Sequence, residues 1–206
     1  FMCHMASACL TSGSNVLYIT CEMAEEKIAE RIDANLLDTP IQILSDPLFT
    51  KAKYRAKMDK LRQKTQGKLV IKEYPTASAH VGHFESLLNE LSLKKGFAPD
   101  IIFVDYLNIC ASSRYKGTIV NSYTYVKAIA EELRGLAGKM NVPIMSATQT
   151  TRSGYGNSNV EITDTSESFG LPATADLMFA LISTEDMEQL GQIMVKQLKN
   201  RYNDPT

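Results

Sequence analysis

Short runs of β-favouring apolar residues alternate along this chain with stretches of helical periodicity, and this pattern constrains the fold more than any other feature. Val16-Leu17-Tyr18-Ile19, Leu69-Val70-Ile71 and Ile101-Ile102-Phe103-Val104 are apolar throughout rather than at every second position, and Val142 to Ala147 is broken only by Ser146. That is the signature of strands buried on both faces. Between them, residues 1–10, Met23 to Leu37, the first part of Lys51 to Lys72, His83 to Leu93 and Val126 to Met140 have helical composition or spacing, the last with Ser122 as its expected cap. Strands alternating with helices imply right-handed crossovers and a mainly parallel sheet, an α/β fold. Leu177 to Ile182 and Gln192 to Leu198 read as further strands, and residues 150–164 as a long polar loop. At 206 residues the chain has the length of one domain.

Charge excludes one explanation. With 22 Lys+Arg against 23 Asp+Glu the formal net charge is −1, so no bulk basicity attracts nucleic acid, and any such contact must be local. The charges are segregated: Lys51 to Lys72 holds nine Lys/Arg against Asp59 alone, whereas residues 160–188 hold seven acids and no Lys or Arg. The apolar runs are shorter than a membrane span and no secretory signal is visible. Cys3, Cys9, Cys21 and Cys110 show neither metal-ligand spacing nor a disulfide framework, which fits a reducing cytoplasm.

In parallel sheets ligands bind beyond the carboxyl ends of the strands. That rule selects Glu22, Asp105 and Gln149. Asp105 ends a rigid apolar strand, where a carboxylate can hold the water shell of Mg²⁺, or serve simply as a cap or loop hydrogen-bonder. Glu22 fits a first-turn helix acid or a base that orients an attacking water. Gln149 fits a γ-phosphate contact that does not titrate, or a polar loop residue. Lys199 and Arg201 flank Asn200 near a strand end, so alternation puts both on one side, as a phosphate clamp or as a solvated end. His80 and His83, lacking a third ligand, read as structural rather than zinc-binding. The Lys51 to Lys72 cluster reads as a solvated face.

Four blocks, NVLYITCEM (15–23), IIFVDYLNIC (101–110), NVPIMSATQTTR (141–152) with ESFGLPATADLMFAL (167–181), and KQLKNRYND (196–204), resemble the RecA-like motor domain of hexameric replicative DNA helicases. This is the DnaB family, and YVKAIAEELRGLA (125–137) is similar to its T-even bacteriophage branch. The resemblance runs through the whole chain in order. It implies a RecA-like P-loop NTPase core over residues 1–206, with Glu22 as the glutamate that polarises the attacking water and Asp105 as the Walker B aspartate, bound to Mg²⁺ through water. It further implies Gln149 as the γ-phosphate sensor, and Lys199 with the arginine finger Arg201 as the pair that reaches a neighbouring subunit's nucleotide.

By the family pattern the Walker A loop, GxxxxGK[ST], ends a few residues before Phe1, so this stretch alone is expected to bind ATP poorly and hydrolyse little; the partner of the last strand is expected to lie past Thr206. The implied activity is that of an ATP- and Mg²⁺-dependent homo-hexamer moving 5′ to 3′ on single-stranded DNA in the cytoplasm of a host, with primase and a loader as partners and no membrane. Arg114, Lys116, Arg152, Ser153 and Gly154 are the expected DNA-contacting positions. Ser166 stands where the family often has an arginine. A recombinase or circadian-clock type RecA-like ATPase is the enzymatic alternative, and a non-catalytic scaffold or loader the other; the intact Glu22, Asp105, Gln149 and Arg201 favour the motor.

Overall fold

The structure, a computed structural model, describes residues 1–44, 46, 48–62, 67–115, 120–150, 161 and 170–203. It divides into two compact units, Phe1–Ala111 with Leu136–Ala147, and Ser112–Gly135 with Thr148–Thr206.

In the first unit a four-stranded parallel sheet has the order β2-β1-β3-β4, built from β1 (Val16–Thr20), β2 (Leu69–Glu73), β3 (Ile101–Asp105) and β4 (Ile144–Ser146). The uniformly apolar runs therefore become strands as expected. β1 is central and all five of its residues are buried, as are Ile102, Phe103 and Val104 of β3. Side chains alternate across the sheet. On one face Val16, Tyr18 and Phe103 pack with Cys3, Ala6 and Leu10 of α1 (Met2–Thr11) and with Ile28 and Ile32 of α2 (Glu25–Leu36). Leu17, Ile19, Ile102 and Val104 point the other way and are equally buried.

The connections explain where elements stop. After the short α3 (Ile41–Leu44), the basic helix α4 (Lys51–Arg62) buries none of its residues. It is tied down by polar contacts, Tyr54 donating to Asp33 at 2.6 Å and Lys57 to the Thr39 hydroxyl at 2.6 Å, while Arg62 pairs with Asp59 along the exposed helix. Burial raises the Asp33 carboxyl, and burial with Asp33 pushes the Tyr54 hydroxyl up to about 12. Gly67 passes so close to the end of α1 and the turn after it that a Cβ there would lie 2.3 Å from the Ser14 carbonyl oxygen and 2.9 Å from that of Leu10. Helix α5 (Val81–Lys95) ends at Gly96, whose φ of +56° lets the buried Phe97 return its N–H to the Leu91 carbonyl at 3.1 Å.

His80 and His83 cap the start of α5. The His80 ring accepts from the Gly82 N–H at 3.0 Å, and the His83 ring accepts from the His80 N–H at 3.2 Å, a reciprocal capping box made of imidazoles. Their structural reading is thereby explained.

A 3₁₀ turn (Leu107–Ile109) follows β3. Helix α6 (Ser122–Met140) starts differently from expectation: Ser122 is its first helical residue, and Asn121 is the cap, its side-chain oxygen accepting from the Thr124 N–H at 2.8 Å. In the second unit α7 (Gly170–Thr174) leads to β5 (Leu177–Ile182), α8 (Glu185–Gln189) and β6 (Met194–Asn200). β5 and β6 pair antiparallel as a two-stranded sheet, because the short connection through α8, capped by Thr184, is too brief for a parallel crossover. β6 also begins and ends two residues later than expected, which brings Lys199 into the strand itself. Among the described residues no helix is long and apolar enough to cross a membrane.

Candidate functional site

The first unit gathers two of the expected acids at the carboxyl ends of its two inner strands. β1 and β3 run parallel in register with Thr20 beside Asp105, and the Cys21 N–H donates to the Asp105 carbonyl at 2.8 Å. Immediately beyond, the buried Thr20 hydroxyl accepts from the Met23 N–H at 3.0 Å and donates to the Met23 carbonyl at 2.8 Å. This closed loop turns the chain out of the strand and leaves Glu22, exposed, at its tip. It also delays α2 to Glu25, two residues later than the apolar pattern suggests. From the other side the Thr76 hydroxyl donates to the Cys21 carbonyl at 2.8 Å. Glu22 therefore rides on a backbone held from three directions.

Asp105 is half-buried. Its Oδ2 accepts from the Tyr18 hydroxyl at 2.8 Å, and its Oδ1 makes no hydrogen bond among the described residues. Burial, reinforced by Asp105 itself, drives the Tyr18 hydroxyl far above its ordinary value, so it stays a donor. The Asp105–Tyr106 peptide bond is cis. Three residues on, Asn108 Oδ1 is buried without a hydrogen-bond partner among the described residues. No three His, Cys, Asp or Glu side chains among the described residues form a metal cage. A single carboxylate with a free hard oxygen is instead the donor set that suits Mg²⁺, which keeps its waters and shares phosphate ligands.

Sequence spacing gave no hint of another contact here: Cys21 and Cys110, 89 positions apart, bring their buried sulfurs to 3.9 Å as free thiols. Contact with Cys21 and burial push the Cys110 thiol up.

In the second unit, Lys199 and Arg201 reach the same short helix. Lys199 Nζ donates to the Pro172 carbonyl, and Arg201 donates to the Ala173 carbonyl at 2.8 Å. Arg134 donates to the Thr174 carbonyl at 2.6 Å, so three cations cover the carbonyl end of α7. Asp176 accepts from Arg134 at 2.8 Å and forms an ion pair with Arg201 at 3.0 Å. Burial first, and the Arg201 charge second, lower the Lys199 ammonium. Alternation anticipated the pairing of Lys199 with Arg201, but Arg134 and the bridging Asp176 carried no local signal.

Also in this unit, Arg114 donates to Glu131 at 2.5 Å, and its main chain rests on Glu132. Glu132, 8% exposed, accepts from the Ser112 hydroxyl at 2.7 Å and the N–H groups of Ser113 at 2.9 Å and Arg114 at 3.4 Å. Burial raises this carboxyl, yet the Ser113, Ser112 and Arg114 donors outweigh burial and hold it below the usual range. Gln149 is exposed, three residues past β4. Lys116, Arg152, Ser153, Gly154 and most of the 150–164 loop lie outside the described residues.

Residues 1–202 match the family described as the DnaB-like helicase C terminal domain. The chain belongs to that family. It is 50% identical over 204 residues to a DnaB-like replicative helicase of Enterobacteria phage T4, covering 98% of this chain and 43% of that protein. It is 25% identical over 201 residues to a probable plasmid replicative DNA helicase of Chlamydia psittaci, covering 94% of this chain and 42% of that protein. The chain thus spans less than half the length of these relatives. Its fold matches a solved structure described as a DnaB-like replicative helicase and its interactions with primase, with a TM-score of 0.77, 16% identity and coverage of 98% of this chain and 49% of that one. A second match, the ATPase domain of G40P, has a TM-score of 0.78 at 16% identity, covering 98% and 72%. The RecA-like α/β architecture expected from the DnaB-type motifs is thereby borne out.

Proposed function

We propose that this chain is the ATPase motor of a ring-shaped replicative DNA helicase. The observation that carries the reading is the placement of Glu22 and Asp105 at the carboxyl ends of the two inner strands, locked by the Thr20–Asp105 register and the Cys21–Asp105 bond. In this reading Glu22, exposed on its pinned turn, takes a proton from the water that attacks the γ-phosphate of ATP. Asp105 holds the water shell of Mg²⁺, which neutralises charge developing on the phosphate oxygens. Gln149 donates to the γ-phosphate and passes its loss to the segment that follows. Lys199 and Arg201 serve the nucleotide of an adjacent copy in a homo-hexamer, Arg201 as the finger that stabilises the transferred phosphoryl group. To do so they exchange their bonds to the carbonyls of α7 for phosphate oxygens.

Arg114, with Lys116, Arg152, Ser153 and Gly154, contacts the backbone of single-stranded DNA without reading bases. The 2.5 Å pair between Arg114 and Glu131 must open for this, so DNA phosphate competes with a carboxylate for the same guanidinium. Movement runs 5′ to 3′, in a host's cytoplasm, beside a primase and a loader. A solved DnaB-like relative is described with primase, which supports that partner.

The test is strand separation by the protein extended to the length of its relatives, on forks bearing only a 5′ or only a 3′ single-stranded tail. ATP-dependent unwinding confined to the 5′-tailed fork is expected. ATP hydrolysis with no unwinding of either fork would overturn the reading.

A further inference from the structure

Tyr18 lies in the middle of the central strand, fully buried, in a position where a hydrocarbon ring would satisfy the packing. Its ring stacks on Phe103 with centroids 5.7 Å apart and planes 12° apart, and neither feature needs a hydroxyl. A buried hydroxyl is costly unless it is bonded. This one donates to Asp105 Oδ2 at 2.8 Å and lies 3.7 Å from the Cys3 thiol, which donates to it from the first turn of α1. The register explains the reach. Tyr18 stands beside Phe103, so Asp105, two residues along β3, projects from the same face at the diagonal position that a long aromatic side chain spans.

The consequence falls on Asp105. The terminal torsion of an aspartate is broad, so a carboxylate with no fixed donor swings between rotations. With Oδ2 held by Tyr18 and Oδ1 making no hydrogen bond among the described residues, the carboxylate presents one defined oxygen. We propose that Tyr18 is a positioning residue for the nucleotide site: its hydroxyl fixes the rotation of Asp105 and so sets how strongly that carboxylate holds the hydrated metal. Outer-shell donors to metal-holding carboxylates act in this way. The inference rests on the reading of Asp105 given under Proposed function.

The experiment measures fluorescent mant-ADP binding to the protein extended to the length of its relatives, once in saturating Mg²⁺ and once in EDTA, for the wild type, Tyr18→Phe, Asp105→Asn and the double variant. Thermal midpoints are recorded for each. Tyr18→Phe keeps the stacked ring and is expected to lower the Mg²⁺-dependent gain in affinity about tenfold while leaving binding in EDTA unchanged. In the Asp105→Asn background, which itself abolishes the gain, removing the hydroxyl is expected to change nothing further. An unchanged gain in Tyr18→Phe, with Asp105→Asn still abolishing it, overturns the role of Tyr18 alone. Equal losses in Mg²⁺ and EDTA, accompanied by a lower thermal midpoint, also overturn it, since a purely structural tyrosine behaves so. A full gain retained by Asp105→Asn overturns the reading of Asp105 itself.

Discussion

Glu132→Gln is the substitution whose effect the structure sets most narrowly. The wild-type carboxylate, 8% exposed, serves the Ser112 hydroxyl and the Ser113 and Arg114 N–H groups at once. Glutamine is almost isosteric, but it retains one acceptor oxygen. If that oxygen keeps Ser112, the new amide group faces the Ser113 N–H, donor against donor. Losing a hydrogen bond to a charged group costs about 1.5–3 kcal/mol, and a stranded buried donor costs about the same. We therefore expect a local loss of about 2–3 kcal/mol.

Hydrogen exchange reads this residue by residue. The Ser113 amide should exchange about 30- to 150-fold faster, while the amides of β1 and β3 are unchanged. The direction of pH dependence follows from the carboxyl being held below its unfolded value of about 4.3. Its contribution is complete above that value and is lost as pH falls through the lower folded value. Wild type and variant should thus differ at pH 7 and converge as both are acidified. Unchanged protection of Ser113 at pH 7, or a difference that grows on acidification, would refute the reasoning.

Other outcomes follow from particular contacts. Ile32→Ala, a fully buried truncation between α2 and the sheet, should destabilise by about 2–5 kcal/mol in urea unfolding. Asn121→Ala should cost about 1 kcal/mol through loss of the α6 cap, whereas Asn121→Asp should cost little, both read by thermal melting. His80→Ala should cost about 1 kcal/mol, and added Zn²⁺ should leave the melting temperature unchanged, because the two imidazoles are committed to the cap of α5. Arg201→Ala should abolish DNA-stimulated hydrolysis, and mixing it with Glu22→Gln subunits should restore part of it if the arginine acts on a neighbour's nucleotide.

The strands were legible because a strand buried on both faces is written as an unbroken apolar run, and Val16 to Ile19 and Ile101 to Val104 are such runs. Asp105 was legible for a related reason: a charge that ends such a run must emerge at the carboxyl end of the strand. Helix starts were harder to read. Ser122 and Asn121 are both good caps, and only the bond to Thr124 decides between them. What sequence spacing could not show are contacts across many residues. The Cys21–Cys110 approach, the Asp176 bridge and the Tyr18–Asp105 bond join positions 89, 25 to 42, and 87 residues apart, each set by strand register or helix packing. The antiparallel pairing of β5 with β6 depended on the length of the connection rather than on the apolar runs themselves.

The most direct measurement of the central claim is the steady-state ATP hydrolysis, with and without single-stranded DNA, of the protein extended to the length of its relatives, compared with Glu22→Gln. The wild type should show DNA-stimulated turnover, and the variant a loss of at least about 100-fold, the scale of a general base, with nucleotide binding retained. A Glu22→Gln protein that hydrolyses ATP at the wild-type rate would contradict the claim.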